Sequence, residues 1–198
     1  MTTAANAVRS LFVPLLLGLI LATIAIVVRS GMAARKNPGR PINSAMRESM
    51  AAGAYDWPER DTQYIAQRYT GARDTKSGLR YLVRQAGTGE ARPVRGDVVT
   101  VNYEARLLDG EIRFDGSADH GGPFNFVLGE MRVIPGWEEA LYLMRKGEKR
   151  TLLIPYWLGY GDRGIRGKIP GRATLVFDIE LVEFTPAAAA AGAAVETK

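Results

Sequence analysis

Apolar and polar residues alternate along several short segments in the second half of the chain. At residues 99–107 every second position is apolar or aromatic, which is the pattern of a strand that buries one face of an antiparallel sheet. The Asp109-Gly110 pair that follows is typical of a hairpin turn. The same reasoning predicts further strands at residues 79–83, 112–114, 125–128, 149–154 and 174–182.

Pro135 and Gly136 end the preceding secondary-structure element, and the apolar residues after them have the spacing of a helix. Arg145 and Lys146 are predicted in the last helical turn, where cations suit the negative end of the helix dipole, and Gly147 is predicted to end the helix. Short strands around a single helix predict an α+β fold, in which one antiparallel β-sheet wraps around one short α-helix. Four apolar residues at i, i+3, i+4 and i+7 form one face of this helix: Trp137, Ala140, Leu141 and Met144.

The N-terminal part contains a long apolar run. Leu11 and Val28 bound eighteen uncharged residues, and Arg9 and Arg29 flank them. As a helix the run would be about 27 Å long, close to the bilayer hydrocarbon thickness of about 30 Å, so we predict a single transmembrane helix. The alternative is a cleaved secretory signal, because small residues follow the run: Gly31, Ala33 and Ala34.

The composition divides the chain into four regions. We predict a membrane anchor at residues 1–30, a linker and extension at 31–76, a folded domain at 77–184 and an alanine-rich tail at 185–198. Pro58 is predicted to start a helical turn in the extension, with Ile65 and Tyr69 on one side of it. We favour an extension packed against the domain; the alternative is a docking surface for another protein.

The chain has no cysteine and a single histidine, His120. This composition excludes disulfides, thiolate metal sites and a cysteine nucleophile, and it offers little for a multi-histidine metal site.

The net charge is +5. Residues 1–54 hold six basic residues and one acidic residue, whereas residues 78–184 hold fifteen of each. The excess therefore flanks the apolar run, which indicates membrane topology and argues against a nucleic-acid partner.

The sequence is compatible with more than one cellular compartment. An arginine-containing N-terminus without acidic residues fits the mitochondrial inner membrane. A bacterial inner membrane with the domain facing the periplasm is the alternative left open. The larger basic cluster lies after the apolar run, which by the positive-inside rule would keep that side in the cytoplasm or matrix. The orientation is therefore not decided by the sequence.

Several motifs carry a family resemblance. The sequence reads VIPGWEE from Val133, GEKR from Gly147 and LGYG from Leu158, with GDVVTVNYEARLLDG and PFNFVLG upstream and IPGRATLVFDIEL downstream. This order of motifs is similar to the FKBP-type peptidyl-prolyl cis-trans isomerases over residues 77–184. The resemblance implies the same antiparallel sheet around one helix, and a rotamase activity on proline-containing polypeptides without cofactor or metal.

Rotation about an X-Pro amide needs no acid, base or metal. The barrier is about 18–20 kcal/mol because the C–N bond has partial double-bond character. Twisting the amide reduces its charge separation, so a desolvated apolar pocket can stabilise the twisted amide if a few donors hold the carbonyl oxygens.

The resemblance implies a role for particular residues. Trp137 would form the pocket floor, the Ile134 N–H and the Tyr160 hydroxyl would bind carbonyl oxygens, and Asp115 would polarise the site. Besides Trp137, the residues that line the pocket would be Tyr103, Phe114, Phe124, Val133, Ile134 and Phe177. Four rim positions depart from the usual pattern of the family. His120 stands where several members have an arginine that pairs with the aspartate, and Arg132 where an acidic or amide residue is common. Ile165 stands where some members have a histidine, and Lys168 where an apolar residue is usual.

The resulting hypothesis is a single-pass, membrane-anchored peptidyl-prolyl isomerase that assists protein folding. The alternative is an FKBP-fold accessory subunit of a larger membrane protein complex, with vestigial isomerase activity. Turnover on prolyl peptides distinguishes the two, since only the first requires it.

Overall fold

The computed structural model of this chain describes residues 56–186. The predicted membrane span, most of the linker and the alanine-rich tail lie outside these residues. Within the described part, no helix has the length and apolar character needed to cross a membrane.

The described residues form two α-helices and one antiparallel sheet of seven strands. The helices are Glu59–Arg68 (α1) and Pro135–Leu143 (α2). The strands are Arg73–Asp74 (β1), Arg80–Gln85 (β2), Val98–Leu107 (β3), Arg113–Gly116 (β4), Phe124–Val127 (β5), Lys149–Ile154 (β6) and Leu175–Thr185 (β7). Their order in the sheet is β1-β2-β6-β7-β3-β4, with β5 also paired to β3. The predicted α+β fold is confirmed.

Strand β3 brings the site residues to one region of the sheet. It pairs with β7 along its length, while β4 and β5 share its other side. Ala105 lies between Asp115 of β4 and Phe177 of β7, and Val101 lies opposite Phe124 of β5. Segments that are far apart in sequence therefore lie side by side.

Helix α2 packs its apolar face onto the inner face of the sheet. The four residues predicted for this face are fully buried, Met144 from just beyond the end of the helix. A Cβ at Gly136 would lie 2.8 Å from Cγ2 of Ile154, so glycine lets the start of the helix approach β6 closely. The first turn of α2 is thereby set against the centre of the sheet.

The predicted end of this helix was wrong. Helix α2 ends at Leu143, and Met144 already has an extended backbone with its side chain in the core. Arg145 and Lys146 therefore lie beyond the helix rather than in its last turn. Glu148 accepts a hydrogen bond from the Arg145 N–H at 2.9 Å, which closes the turn into β6. The two cations instead pair with Glu90 and Glu183.

Helix α1 covers part of the outer face of the sheet. Ile65 and Tyr69 are buried, as their spacing predicted, and they pack in a second apolar cluster. The extension therefore packs against the domain, which is the interpretation that we favoured. The sheet and its connections contribute Leu108, Leu153 and Val176 to this cluster.

A carboxylate ties the extension to the turn between β3 and β4. Glu111 accepts hydrogen bonds from the Tyr69 hydroxyl (2.9 Å), the Tyr64 hydroxyl (3.2 Å) and Nε of Arg106 (2.7 Å). Burial disfavours the ionised carboxylate, but these three hydrogen bonds outweigh it and lower the pKa of Glu111. Because the pKa is lower in the folded state, ionised Glu111 stabilises the fold above its ordinary pKa of about 4.3.

We expect Glu111→Gln to lower the free energy of unfolding by about 1–3 kcal/mol at pH 7. The stabilisation by wild-type Glu111 is lost as the pH falls through its ordinary pKa toward the folded-state value. Urea denaturation between pH 7 and pH 3 should therefore show the wild type and the variant converging at acid pH. Glu59→Gln, at an exposed position of α1, is the matched control and should change little. A difference between wild type and Glu111→Gln that stays constant with pH would contradict this account.

Candidate active site

Aromatic side chains from four strands converge on the first turn of α2. We call Tyr103, Phe114, Phe126, Trp137 and Phe177 the aromatic cluster. Trp137 is fully buried at its centre, with ring centroids 4.9 Å from Tyr103, 5.2 Å from Phe177 and 6.4 Å from Phe126. The first two contacts are edge-to-face, the geometry that the aromatic quadrupole favours. Phe114 lies edge-on to Phe177 at 5.9 Å.

The surroundings of Trp137 are strongly apolar. Its Nε1–H is buried and has no hydrogen-bond partner among residues 56–186. An unpaired buried donor costs about 1–3 kcal/mol, which the packing of the indole against its neighbours must offset. This part of the domain is therefore low in polar groups, as a site that desolvates an amide would need to be.

The predicted wall residue Phe124 contacts Trp137 only indirectly, through a second phenylalanine, Phe126. Phe124 does not form a ring contact with Trp137 within the described residues; it stacks on Phe126 at 5.3 Å. Phe126 in turn contacts Trp137. The sequence analysis missed Phe126, although the period-two pattern of β5 places it on the same buried face as Phe124.

Val133 and Ile134 lie directly before α2 and are buried in the core. The Ile134 carbonyl accepts hydrogen bonds from the N–H groups of Trp137 (3.0 Å) and Glu138 (3.3 Å). Its own N–H donates none of the hydrogen bonds found within residues 56–186. Ile134 is fully buried, so this backbone N–H lies inside the core beside the aromatic cluster.

Glu138 fixes the loop that carries Val133 and Ile134. Its carboxylate accepts hydrogen bonds from the N–H groups of Gly129 (2.7 Å) and Met131 (3.1 Å). Burial raises the pKa of Glu138, although the two backbone donors stabilise its ionised form. Sequence reasoning missed this role; the acidic residue in the first turn of α2 was the only signal.

Asp115 is the buried carboxylate of the site, 5% exposed. One carboxylate oxygen accepts a hydrogen bond from the Tyr103 hydroxyl at 3.2 Å, and the other lies 2.8 Å from Nε2 of His120. His120 is half exposed, so the histidine bridges the buried carboxylate and solvent. His120 thus contacts Asp115 in place of the usual arginine. A single turn, Ser117–His120, brings the histidine back to the carboxylate.

Tyr160 lies beside this pair and packs on the core. Burial raises the pKa of Tyr160 well above its ordinary value, and the nearby Asp115 and Tyr103 act in the same direction. The phenol therefore stays protonated across the physiological pH range. The neutral hydroxyl keeps its proton as a hydrogen-bond donor, while the carbonyl-binding role of Tyr160 stays a prediction.

Two of the unusual rim residues, Lys168 and Arg132, have defined contacts in the structure. Nζ of Lys168 lies 6.0 Å from the ring centroid of Phe114, which puts a cation over one face of the aromatic cluster. Arg132 is exposed and pairs with Glu130 at 2.8 Å. No three His, Cys, Asp or Glu side chains between residues 56 and 186 are arranged to hold a metal ion.

This combination defines the class of the domain: an antiparallel sheet closed on one short helix, with aromatic side chains gathered at the start of that helix. Residues 89–182 match the family described as FKBP-type peptidyl-prolyl cis-trans isomerase. The FK506-binding protein 1A of Neurospora crassa is 47% identical over 105 residues, which cover 53% of this chain and 87% of that protein. The chain therefore belongs to the FKBP-type peptidyl-prolyl cis-trans isomerase family, as the motifs indicated.

Bacterial relatives extend the similarity beyond the domain. The isomerase FkpA of Aeromonas hydrophila is 39% identical over 150 residues, or 75% of this chain and 54% of that protein. The crystal structure of FkpA from Escherichia coli aligns with a TM-score of 0.58 and 36% identity, over 87% of this chain and 72% of that chain. The present chain spans about half the length of the FkpA proteins that it matches.

Proposed function

We propose that this chain is a peptidyl-prolyl cis-trans isomerase that acts on proline-containing polypeptides. The observation that carries the proposal is the convergence of Tyr103, Phe126 and Phe177 on the buried indole of Trp137. Membership of the FKBP-type family supports the same activity.

In the proposed mechanism the prolyl ring lies on Trp137, between the aromatic walls. The planar amide is more dipolar than the twisted one, so an apolar surrounding destabilises the planar amide relative to the twisted amide. The Ile134 N–H and the Tyr160 hydroxyl hold carbonyl oxygens of the substrate. Rotation makes and breaks no covalent bond, so Asp115 polarises the site and transfers no proton.

The roles of Asp115 and His120 give a separate prediction. We expect His120→Leu to lower kcat/KM by about two- to tenfold, because the buried carboxylate loses one of its two partners. His120→Arg should retain most of the activity, since an arginine can donate a hydrogen bond to the same carboxylate. The measurement is the rate of cis-trans exchange of a prolyl peptide. Equal losses in both variants would show that the contact with Asp115 is irrelevant.

The activity itself is tested with the full chain and a short peptide with one X-Pro bond. Exchange NMR reports cis-trans interconversion directly, without a coupling protease. Accelerated exchange at substoichiometric protein supports the isomerase. Unchanged exchange, together with stoichiometric partners after purification in mild detergent, would favour the accessory subunit of a membrane complex.

We also propose that residues 1–30 anchor the protein in a membrane as a single-pass helix. The support is the uncharged run between Leu11 and Val28, and the basic residues that flank it. Alkaline carbonate extraction of membranes tests this: the full chain should stay in the pellet, whereas a Leu19→Arg variant should be released. Fractionation of the host cell would then decide between the mitochondrial and the bacterial inner membrane.

A further inference from the structure

The loop at residues 161–172 leaves the site at Tyr160 and leads to β7. Three of its side chains, Arg163, Arg166 and Lys168, are exposed cations. None of the salt bridges found within residues 56–186 involves any of the three. The loop thus presents three positive charges that the rest of the described chain does not neutralise by ion pairing.

Backbone hydrogen bonds hold the small hairpin that carries Lys168. Ile165 and Ile169 exchange two hydrogen bonds, each 2.8 Å, and the Lys168 N–H donates to the Ile165 carbonyl at 3.0 Å. Ile169 is buried in the core, so this small hairpin is anchored at its base. From this hairpin the ammonium group of Lys168 reaches to 6.0 Å from the ring centroid of Phe114, a wall of the proposed pocket.

Gly164 allows this hairpin to form. Its backbone has φ +61°, and a Cβ there would lie 2.1 Å from the carbonyl oxygen of Ile169. A side chain at this position would therefore displace the hairpin. The backbone of the hairpin that carries Lys168 is thus closely packed at Gly164.

Four carboxylates near the site residues have a side-chain partner. Asp115 lies 2.8 Å from His120 and Asp119 lies 2.8 Å from Arg113. Two further pairs, Glu130 with Arg132 at 2.8 Å and Asp162 with Arg172 at 3.0 Å, complete this set. Glu138 forms none of the salt bridges found within residues 56–186, but its carboxylate is turned to the backbone N–H groups of Gly129 and Met131. The three exposed cations of the loop would therefore give the entrance of the pocket a positive potential.

We propose that Lys168, with Arg163 and Arg166, makes this isomerase prefer substrates that carry aspartate or glutamate next to the proline. The inference rests on the proposed function and adds a substrate class to it. A carboxylate beside the proline gains a cation partner at the rim, whereas a lysine there is repelled. Exposed charge pairs contribute modestly, so the preference for a Glu-Pro over a Lys-Pro peptide should be about three- to tenfold at low salt.

The test uses the full chain and three peptides that differ only in the residue before proline: glutamate, glutamine or lysine. NMR titration gives Kd for each peptide, and exchange spectroscopy gives the isomerisation rate. We expect the order Glu, Gln, Lys from tightest to weakest, with the differences shrinking at high ionic strength. Lys168→Gln should reduce the preference and Lys168→Glu should abolish or reverse it. Arg73→Glu is the control, because β1 lies at the sheet edge opposite to β4.

Binding and turnover separate the two proposals. Equal Kd values for the three peptides overturn the charge preference, whether or not exchange is accelerated. A preference that survives Lys168→Glu overturns the assignment to Lys168. A glutamate preference without accelerated exchange supports the charged rim and overturns the isomerase activity.

Discussion

Trp137→Ala and Phe177→Ala are each expected to reduce prolyl isomerisation by at least about tenfold, the equivalent of about 1.4 kcal/mol in the barrier. Either change removes a ring from the centre of the aromatic cluster and admits water where the twisted amide would lie. Both side chains are almost fully buried, so each variant should also lose about 3–5 kcal/mol of stability. Rates must therefore be measured per folded molecule, with the folded fraction taken from circular dichroism.

Trp157→Ala is the matched control. Trp157 is as buried as Trp137, but its ring contacts are with Trp57 at 6.0 Å and Tyr156 at 5.1 Å. We expect a similar loss of stability and a rate per folded molecule close to that of the wild type. Equal rate losses in Trp137→Ala and Trp157→Ala would mean that the first effect reflects destabilisation alone.

Tyr69→Ala is expected to lower the free energy of unfolding by about 3–5 kcal/mol, as a buried aromatic side chain and its hydrogen bond are both lost. Tyr69→Phe keeps the ring and loses only the bond to Glu111, so its cost should be about 1–3 kcal/mol. Urea denaturation at pH 7 measures both. The isomerisation rate of the folded protein should not change, because α1 lies on the outer face of the sheet, away from α2.

Gln67→Ala provides the control for this series. Gln67 is exposed on α1, and surface changes of this kind usually stay within about 0.5 kcal/mol. If Tyr69→Ala is as mild as Gln67→Ala, then the extension is not part of the cooperative fold.

The strands were predictable because each buries one face. All six predicted strands are present, and their ends shift by at most three residues. The two-residue strand β1 was missed, since it is too short to show alternation. The end of α2 was misplaced because Met144 fits the helical spacing but is buried from an extended backbone, where the tertiary packing overrides the local pattern.

The candidate site was predictable in its types of residue and less so in its contacts. Motif order pointed to Trp137 and its wall residues, and the sheet brings most of them together. The sequence did not reveal which phenylalanine of β5 contacts the indole, because Phe124 and Phe126 share one face. Nor did it reveal that His120 holds Asp115, since that contact depends on the conformation of a single turn.

The central claim is that an X-Pro amide rotates in an apolar site on the indole of Trp137. Intermolecular NOEs between an isotope-labelled prolyl peptide and the full chain test it most directly when recorded under conditions of accelerated exchange. The account predicts NOEs from the prolyl ring protons to the indole of Trp137 and the ring of Phe177. Accelerated exchange with prolyl NOEs only to residues outside the aromatic cluster would contradict it.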